Sequence, residues 1–260
     1  MAGPKAEAEA ELRFADELRI FLVPRHRGGR ARVACGGTST LGHVIESLGV
    51  PLPETGDLRI DGEPVTAASR LAGGQVAEVA AVRRPQLLPD ARFLLDVHLG
   101  TLARRLRLTG VDAAYANDRD DDDLIAQANA EGRVLLTQDR GLLRRRKLWM
   151  GAYVRGADPD DQLDDVLDRF APRLAPWTRC TACNGMLAPA RKADIERMLL
   201  RGTRRTYHDF ARCAACGRVY WRGAHGARLA AIVDRAARIV ADRLPQAAEP
   251  PGSRGTWSRS

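Results

Sequence analysis

Two short apolar runs that each lead into an acid constrain this chain more than any other feature. Arg92-Phe93-Leu94-Leu95 runs into Asp96, and Arg133-Val134-Leu135-Leu136-Thr137-Gln138 runs into Asp139. Between them lie a helical stripe (Leu99, Leu102, Ala103, Leu106, Leu108), an extended segment at 111–115 and a second stripe (Leu124, Ile125, Ala128, Ala130). Gly110 and Gly132 end the two stripes. Short strands alternating with helices at this pitch predict a parallel α/β sheet. A weaker strand at 152–154 and a helix from Asp160 to Phe170 complete it. Strand ends of like polarity meet at one edge of such a sheet, and ligands bind there. Carboxylates gathered at that edge repel one another unless a cation sits among them, and oxygen-rich clusters suit Mg²⁺ or Mn²⁺. This is equipment for metal-assisted phosphodiester hydrolysis.

Asp96 and Asp139 are the leading candidates, since both stand at strand-to-helix junctions. Either one also fits a plain helix N-cap. The cluster Asp118, Asp120, Asp121, Asp122 and Asp123 precedes the second helix. One of these acids must cap that helix, and acids there also complement the helix dipole. Asp121 is the expected third metal contact and Asp118 its rival.

A second constellation is formed by Cys180-Thr181-Ala182-Cys183 and Cys213-Ala214-Ala215-Cys216, separated by the 29 residues 184–212. Each Cys-x-x-Cys makes a knuckle, and two knuckles close a tetrahedral four-sulfur zinc site. Cys180, Cys183, Cys213 and Cys216 are therefore the expected ligands of a structural Zn²⁺, with Gly185 and Gly217 at the turns. A closed ligand set leaves no position for catalysis. So small a unit has little core, and the metal must supply much of its stability. Cys35 stands apart as a buried or half-buried thiol.

The N-terminal third reads differently. Leu12 and Phe14 begin an extended segment, Pro24 to Arg32 is a basic, Gly-rich turn, and Thr38-Ser39-Thr40 precedes the amphipathic run Leu41, Val44, Ile45, Leu48. Strands follow at 57–60, 63–65 and 75–79, around the turn Asp61-Gly62. The order β-β-α-β-β outlines a β-grasp. The stretches Val44-Ile45-Glu46-Ser47-Leu48-Gly49-Val50-Pro51, Ile60-Asp61-Gly62-Glu63-Pro64-Val65 and Leu71-Ala72-Gly73-Gly74-Gln75-Val76 resemble the ubiquitin-like domain that precedes Mut7-C ribonuclease domains. The resemblance implies a fold shared with small sulfur carriers, whose chemistry needs a flexible C-terminal Gly-Gly. Here Gly73-Gly74 lies before the last strand, so a docking or substrate-positioning role is expected instead, with a purely structural appendage as the alternative.

The blocks running from Phe93 through Asp96 to Arg107 and from Val134 through Asp139 to Leu143 resemble the Mut7-C ribonuclease domain, a PIN-like fold. Arg218-Val219-Tyr220-Trp221-Arg222 after the second knuckle resembles the zinc-ribbon end of the same family. The resemblance implies RNA cleavage with Mg²⁺ or Mn²⁺. It places Asp96 and Asp139 at the first and last motif acids, and Asp121, in Asp121-Asp122-Asp123-Leu124, at the acid between. Arg104, Arg105 and Arg140 adjoin these acids and would grip flanking phosphates through guanidinium forks. Arg144 and Arg145, in the run Arg144-Arg145-Arg146-Lys147, would extend the RNA track, and Tyr220 and Trp221 would stack on single-stranded RNA.

The 260 residues carry a formal net charge of +8, which permits a polyanionic partner without requiring one. No run of eighteen apolar residues occurs, and the Ala/Glu-rich start lacks the apolar core of a signal peptide, so a cytoplasmic protein is expected. The expected layout is a tail over 1–10, a β-grasp over 11–84 and a linker over 85–90. A PIN-like nuclease domain over 91–176, a zinc ribbon over 177–225, a helix over 226–243 and a tail over 244–260 follow. Two other functions stay open: an RNA-binding module without turnover, and a protein-interaction adaptor acting through the β-grasp.

Overall fold

The computed structural model describes residues 8–223 and 226–244. Residues 1–7 and 245–260 of the two expected tails lie outside the described residues, as do Ala224 and His225. The N-terminal unit contains β1 (Glu9–Phe14), β2 (Arg30–Ala34), β3 (Gly36–Thr40), α1 (Leu41–Ser47), β4 (Thr55–Ile60), β5 (Glu63–Val65), β6 (Arg70–Ala72) and β7 (Val76–Ala81). Its main sheet has the order β2-β1-β7-β4-β5, with β1 and β7 parallel at the centre. The Thr40 hydroxyl accepts from His43 N at 3.3 Å and caps α1, which buries Leu41, Val44 and Ile45 against the sheet. The β-grasp expectation holds, with two corrections. Strand β1 starts at Glu9, inside the presumed tail. Part of the presumed basic turn is β2, where only Ala31 is fully buried; the pairing with β1 makes the strand, and the local apolar pattern does not. Gly73 and Gly74 form the turn before β7 and donate to Cys35 O and Glu9 O, so they are held within the sheet and are not a free terminal pair.

The second unit is a parallel sheet of β8 (Arg92–Leu95), β9 (Asp112–Tyr115), β10 (Val134–Thr137) and β11 (Gly151–Tyr153), in the order β11-β10-β8-β9. Its helices are α2 (Gly100–Leu108), α3 (Asp121–Glu131), α4 (Arg140–Leu143) and α5 (Pro159–Phe170). Alternation along the strands divides the core. Phe93, Leu95, Val134 and Leu136 face α2 and α5, whereas Leu94 and Leu135 face α3 and α4. Gly110 stops α2 with φ +85°, and a Cβ there would lie 1.9 Å from Ala175 O, so no other residue fits.

The third unit is the antiparallel ribbon β12 (Leu187–Ala190), β13 (Phe210–Cys213) and β14 (Val219–Trp221). Two short helices, α6 (Lys192–Ile195) and α7 (Arg201–Thr206), interrupt it. The last helix, α8 (Gly226–Arg243), buries Ala236 and Val240 in the core formed by α2, α5 and the parallel sheet. The C-terminal helix is thus part of the second unit, reached across the ribbon.

The flanking units cap both edges of the parallel sheet. At one edge, Tyr153 N of β11 donates to Glu54 Oε1 at 2.8 Å, and Glu54 is paired with Arg169 of α5 at 2.6 Å. Both side chains are almost completely buried. Burial pulls the Arg169 guanidinium below its usual range, and Glu54 opposes that shift. The segment read as a linker is tied into the same junction: Gln86 N donates to Arg169 O, and Arg84 pairs with Asp165 and Asp168. At the other edge, Ala113 N of β9 donates to Asn184 Oδ1 of the first knuckle at 3.2 Å. Open strand edges invite pairing with other chains, and both are closed here by side-chain acceptors from neighbouring units.

Candidate active site and metal centre

The four knuckle cysteines come together. Their sulfur atoms all lie within 4.8 Å of one another, with Cys180–Cys216 at 3.7 Å and Cys183–Cys213 at 3.5 Å. A tetrahedron with Zn–S bonds of 2.3 Å has S–S edges of about 3.8 Å, whereas a disulfide would need about 2.05 Å. Gly185 is part of the cradle, since a Cβ there would lie 3.0 Å from Cys213 Sγ and 3.4 Å from Cys183 Sγ. The donor set therefore fits a tetrahedral thiophilic cation. Burial pushes the Cys180 thiol up, but the Tyr220 hydroxyl at 2.9 Å and nearby backbone N–H groups outweigh it and bring the thiol down to about 6. Burial and the other three thiols push Cys183 up to about 12.

The first knuckle is also welded to the parallel-sheet unit. Arg107 of α2 is buried and donates to Ala113 O at 2.7 Å and Ala182 O at 2.8 Å. Desolvation lowers its pKa. Asn184 donates to Asp112 Oδ1 at 2.8 Å, and Arg133 reaches the same oxygen at 2.6 Å. Burial raises the Asp112 carboxyl, but these hydrogen bonds and the charges of Arg133 and Arg179 hold it below its usual value.

The acids occupy the carboxyl edge of the parallel sheet. Chain connections leave β8 towards β9 and leave β10 towards β11, so the strand order reverses between β8 and β10. In open α/β sheets such a switch point holds the ligand crevice. Asp96 follows β8 and Asp139 closely follows β10. Thr137 joins them: its hydroxyl donates to Asp96 Oδ2 at 2.6 Å and accepts from Asp139 N at 2.9 Å. Asp96 is buried, and its Oδ1 accepts from Val97 N at 2.6 Å. Asp139 is exposed, and its Oδ1 accepts from Gly141 N at 2.6 Å at the head of α4. Both acids are thus helix caps as well as edge acids.

The central cluster divides. Asp120 is the N-cap of α3, accepting from Asp123 N at 2.9 Å, and Asp122 pairs with Arg145 at 2.6 Å. Asp118 and Asp121 are exposed and have no hydrogen-bond or ion-pair partner among the described residues. Among the described residues, the cysteine set is the one group of three or more potential ligands gathered within 4.8 Å. The sheet edge therefore brings Asp96 and Asp139 together but does not close a triad with Asp121. Sequence reasoning missed Thr137, whose apolar setting hid its hydroxyl. It also missed Asp158, which ends the connection from β11 and caps α5 through Asp160 N and Asp161 N. Those backbone N–H groups hold Asp158 below its usual range, and its hydrogen bond to Asp161 raises the latter.

Several presumed RNA contacts have other partners. Arg105 pairs with Asp160 at 2.6 Å. Arg140 donates to Ile20 O at 2.7 Å and Phe21 O at 3.1 Å, with its guanidinium 5.3 Å from the Phe21 ring centre. It clamps the β-grasp and so corrects its reading as a phosphate ligand. The Tyr220 hydroxyl is held at Cys180, so its role is also at the knuckle. Arg104, Arg144 and Trp221 are exposed, as is His98. Cys35 is buried in the β-grasp core.

The sequence model of the Mut7-C RNAse domain matches residues 91–233, more than half of the chain. The chain belongs to the Mut7-C RNAse domain family. The Mut7-C ubiquitin model matches residues 7–86 directly before it. No curated protein matches the chain. The Mut7-C RNAse match runs through the ribbon and into the first turns of α8. The family indicates a nuclease-type function. No helix among the described residues is long and apolar enough to cross a membrane.

Proposed function

We propose that this chain is a divalent-metal-dependent ribonuclease, hydrolysing RNA phosphodiester bonds at the carboxyl edge of its parallel sheet. The observation that carries this reading is the linkage Asp96–Thr137–Asp139 across the switch point between β8 and β10. Mg²⁺ is commonly held by one or two carboxylates, waters and substrate phosphate, without a full protein cage. Two edge carboxylates without a closed triad fit that pattern. Asp96 and Asp139 would hold the cation, with Asp121 or Asp118 completing the set when substrate is present. When bound, the cation supplies positive charge that activates water and stabilises the scissile phosphate. The Thr137 hydroxyl fixes Asp96 Oδ2, and Val97 N fixes Oδ1, so the carboxylate is oriented before substrate arrives. No side-chain nucleophile is required. Arg104 remains exposed for a flanking phosphate, while the four cysteines hold Zn²⁺ as a structural ion.

The test uses purified full-length chain, end-labelled RNA and Mn²⁺. Wild type is expected to cleave, and Asp96→Asn and Asp139→Asn to lose cleavage while keeping their fold. Equal cleavage by all three proteins refutes the proposal. RNA binding by a wild type that never cleaves would favour a binding module.

A further inference from the structure

A cleft of about 570 Å³ opens between the ubiquitin-like domain and the nuclease domain. Its nuclease wall is the segment from α4 to β11, including Arg144, Arg146 and Trp149; its opposite wall includes His43 and Glu46 of α1. Three features go beyond what packing requires. Trp149 leaves 76% of its surface exposed. The main chain that carries that tryptophan is fixed, because Trp149 N donates to Asn129 Oδ1 at 3.1 Å and Asn129 Nδ2 donates to Lys147 O at 2.6 Å. Finally, Arg144 and Arg146 are exposed and pair with no described carboxylate, whereas their neighbour Arg145 is taken by Asp122. Glu46 is the one acid lining the cleft, so cationic charge prevails there.

The cleft lies by the amino ends of β10 and β11, where Val134 and Gly151 line it, and is a separate surface from the carboxyl edge that carries the acids. Asp139 is the N-cap of α4 and Arg144 is its C-cap. Five residues of helix span ~7.5 Å, so α4 connects the two surfaces, and a strand long enough to pass along it would reach both.

Resting on the ribonuclease reading above, we infer that this cleft holds a segment of single-stranded RNA. An unpaired base stacks on Trp149, the phosphates lie against Arg144 and Arg146, and the ubiquitin-like domain forms one wall of the path. Stacking on an aromatic face beside a basic groove is how proteins hold single strands without reading their sequence. A duplex buries its base faces and has none to offer Trp149.

The test is equilibrium binding of a fluorescein-labelled 12-nucleotide RNA to the full chain in EDTA, over a range of salt. Trp149→Ala is expected to weaken binding roughly tenfold, and Trp149→Phe to restore most of it. The double variant Arg144→Ala/Arg146→Ala is expected to reduce the salt slope by about 1.4, the release expected for two phosphate contacts on a single strand. His43→Asp, on the ubiquitin-like wall, is expected to weaken binding several-fold. Wild-type affinity and slope in the Trp149 and arginine variants overturn the inference, and an unaffected His43→Asp removes the ubiquitin-like domain from the path. Equal competition by a 12-base-pair duplex overturns the single-strand assignment. Because binding is read without metal, a wild type that binds through the cleft but never cleaves defeats only the nuclease reading. Cleavage with wild-type binding in every variant defeats only the cleft.

Discussion

The two polar clusters of this protein are built on opposite plans. The four sulfur atoms of the ribbon are already gathered within 4.8 Å, cradled by Gly185 and shielded by Tyr220. The acids of the sheet edge are only partly gathered: Asp96 and Asp139 meet through Thr137, while Asp118 and Asp121 stand apart. A closed set is what a structural ion needs, because every ligand position is used for stability. An open set leaves coordination positions for water and phosphate. On the proposed reading, the sulfur site holds the fold, and the acid edge is held ready by it.

The largest effect expected from breaking this contrast is loss of the ribbon metal. Cys213→Ser, or chelation of the wild type, should strip one zinc per chain and collapse the ribbon. The change is set against the ~10–16 kcal/mol that structural zinc supplies to small folds. Metal analysis and limited proteolysis would show it, and an unchanged digestion pattern in a zinc-free protein would contradict the assignment. The edge acids should behave oppositely. Asp139→Asn should leave the melting temperature nearly unchanged while cleavage falls about 10³-fold, the scale of several kcal/mol of lost charge stabilisation. A large fall in stability without a specific loss of rate would make Asp139 a cap and nothing more.

Smaller effects sharpen the comparison. Glu54→Ala strands Arg169 in the buried junction and should cost about 3–5 kcal/mol in denaturant unfolding without touching either metal centre. Thr137→Val removes the hydroxyl between the acids and should reduce Mn²⁺ affinity or cleavage by roughly 10–100-fold, a supporting-residue effect. Its failure to do so would mean that Asp96 and Asp139 are independently placed. The smallest effect concerns pH. The folded pKa of Asp112 is depressed, so its contribution is full above the unfolded value near ~4 and is lost as pH falls through the lower folded value. Acid should therefore loosen the seam between ribbon and β9, and fluorescence would report it through Trp177, whose N donates to Leu108 O at the end of α2. An identical titration for Asp112→Asn would assign the loosening to another group.

The readable features were those with local physical causes. The Cys-x-x-Cys spacing, the capped run after Thr40 and the alternation of apolar strands with helical stripes each needed only a few neighbouring residues. The roles of arginines were less readable, because a guanidinium carries no local sign of its partner. Arg107, Arg140 and Arg105 each sit in basic stretches, yet they bind a knuckle carbonyl, two β-grasp carbonyls and Asp160. Strand β2 was hidden for a related reason: with only Ala31 fully buried, it is a strand because β1 lies beside it.

The order of units, the sulfur site and the acids at strand ends were written in the sequence, since periodicity and spacing act over short distances. Tertiary structure alone decided that Thr137 joins Asp96 to Asp139 and that Glu54 and Asn184 close opposite sheet edges. It also carried α8 back into the nuclease core. Those outcomes depend on which distant segments become neighbours, and buried polar groups take whichever partner that packing supplies.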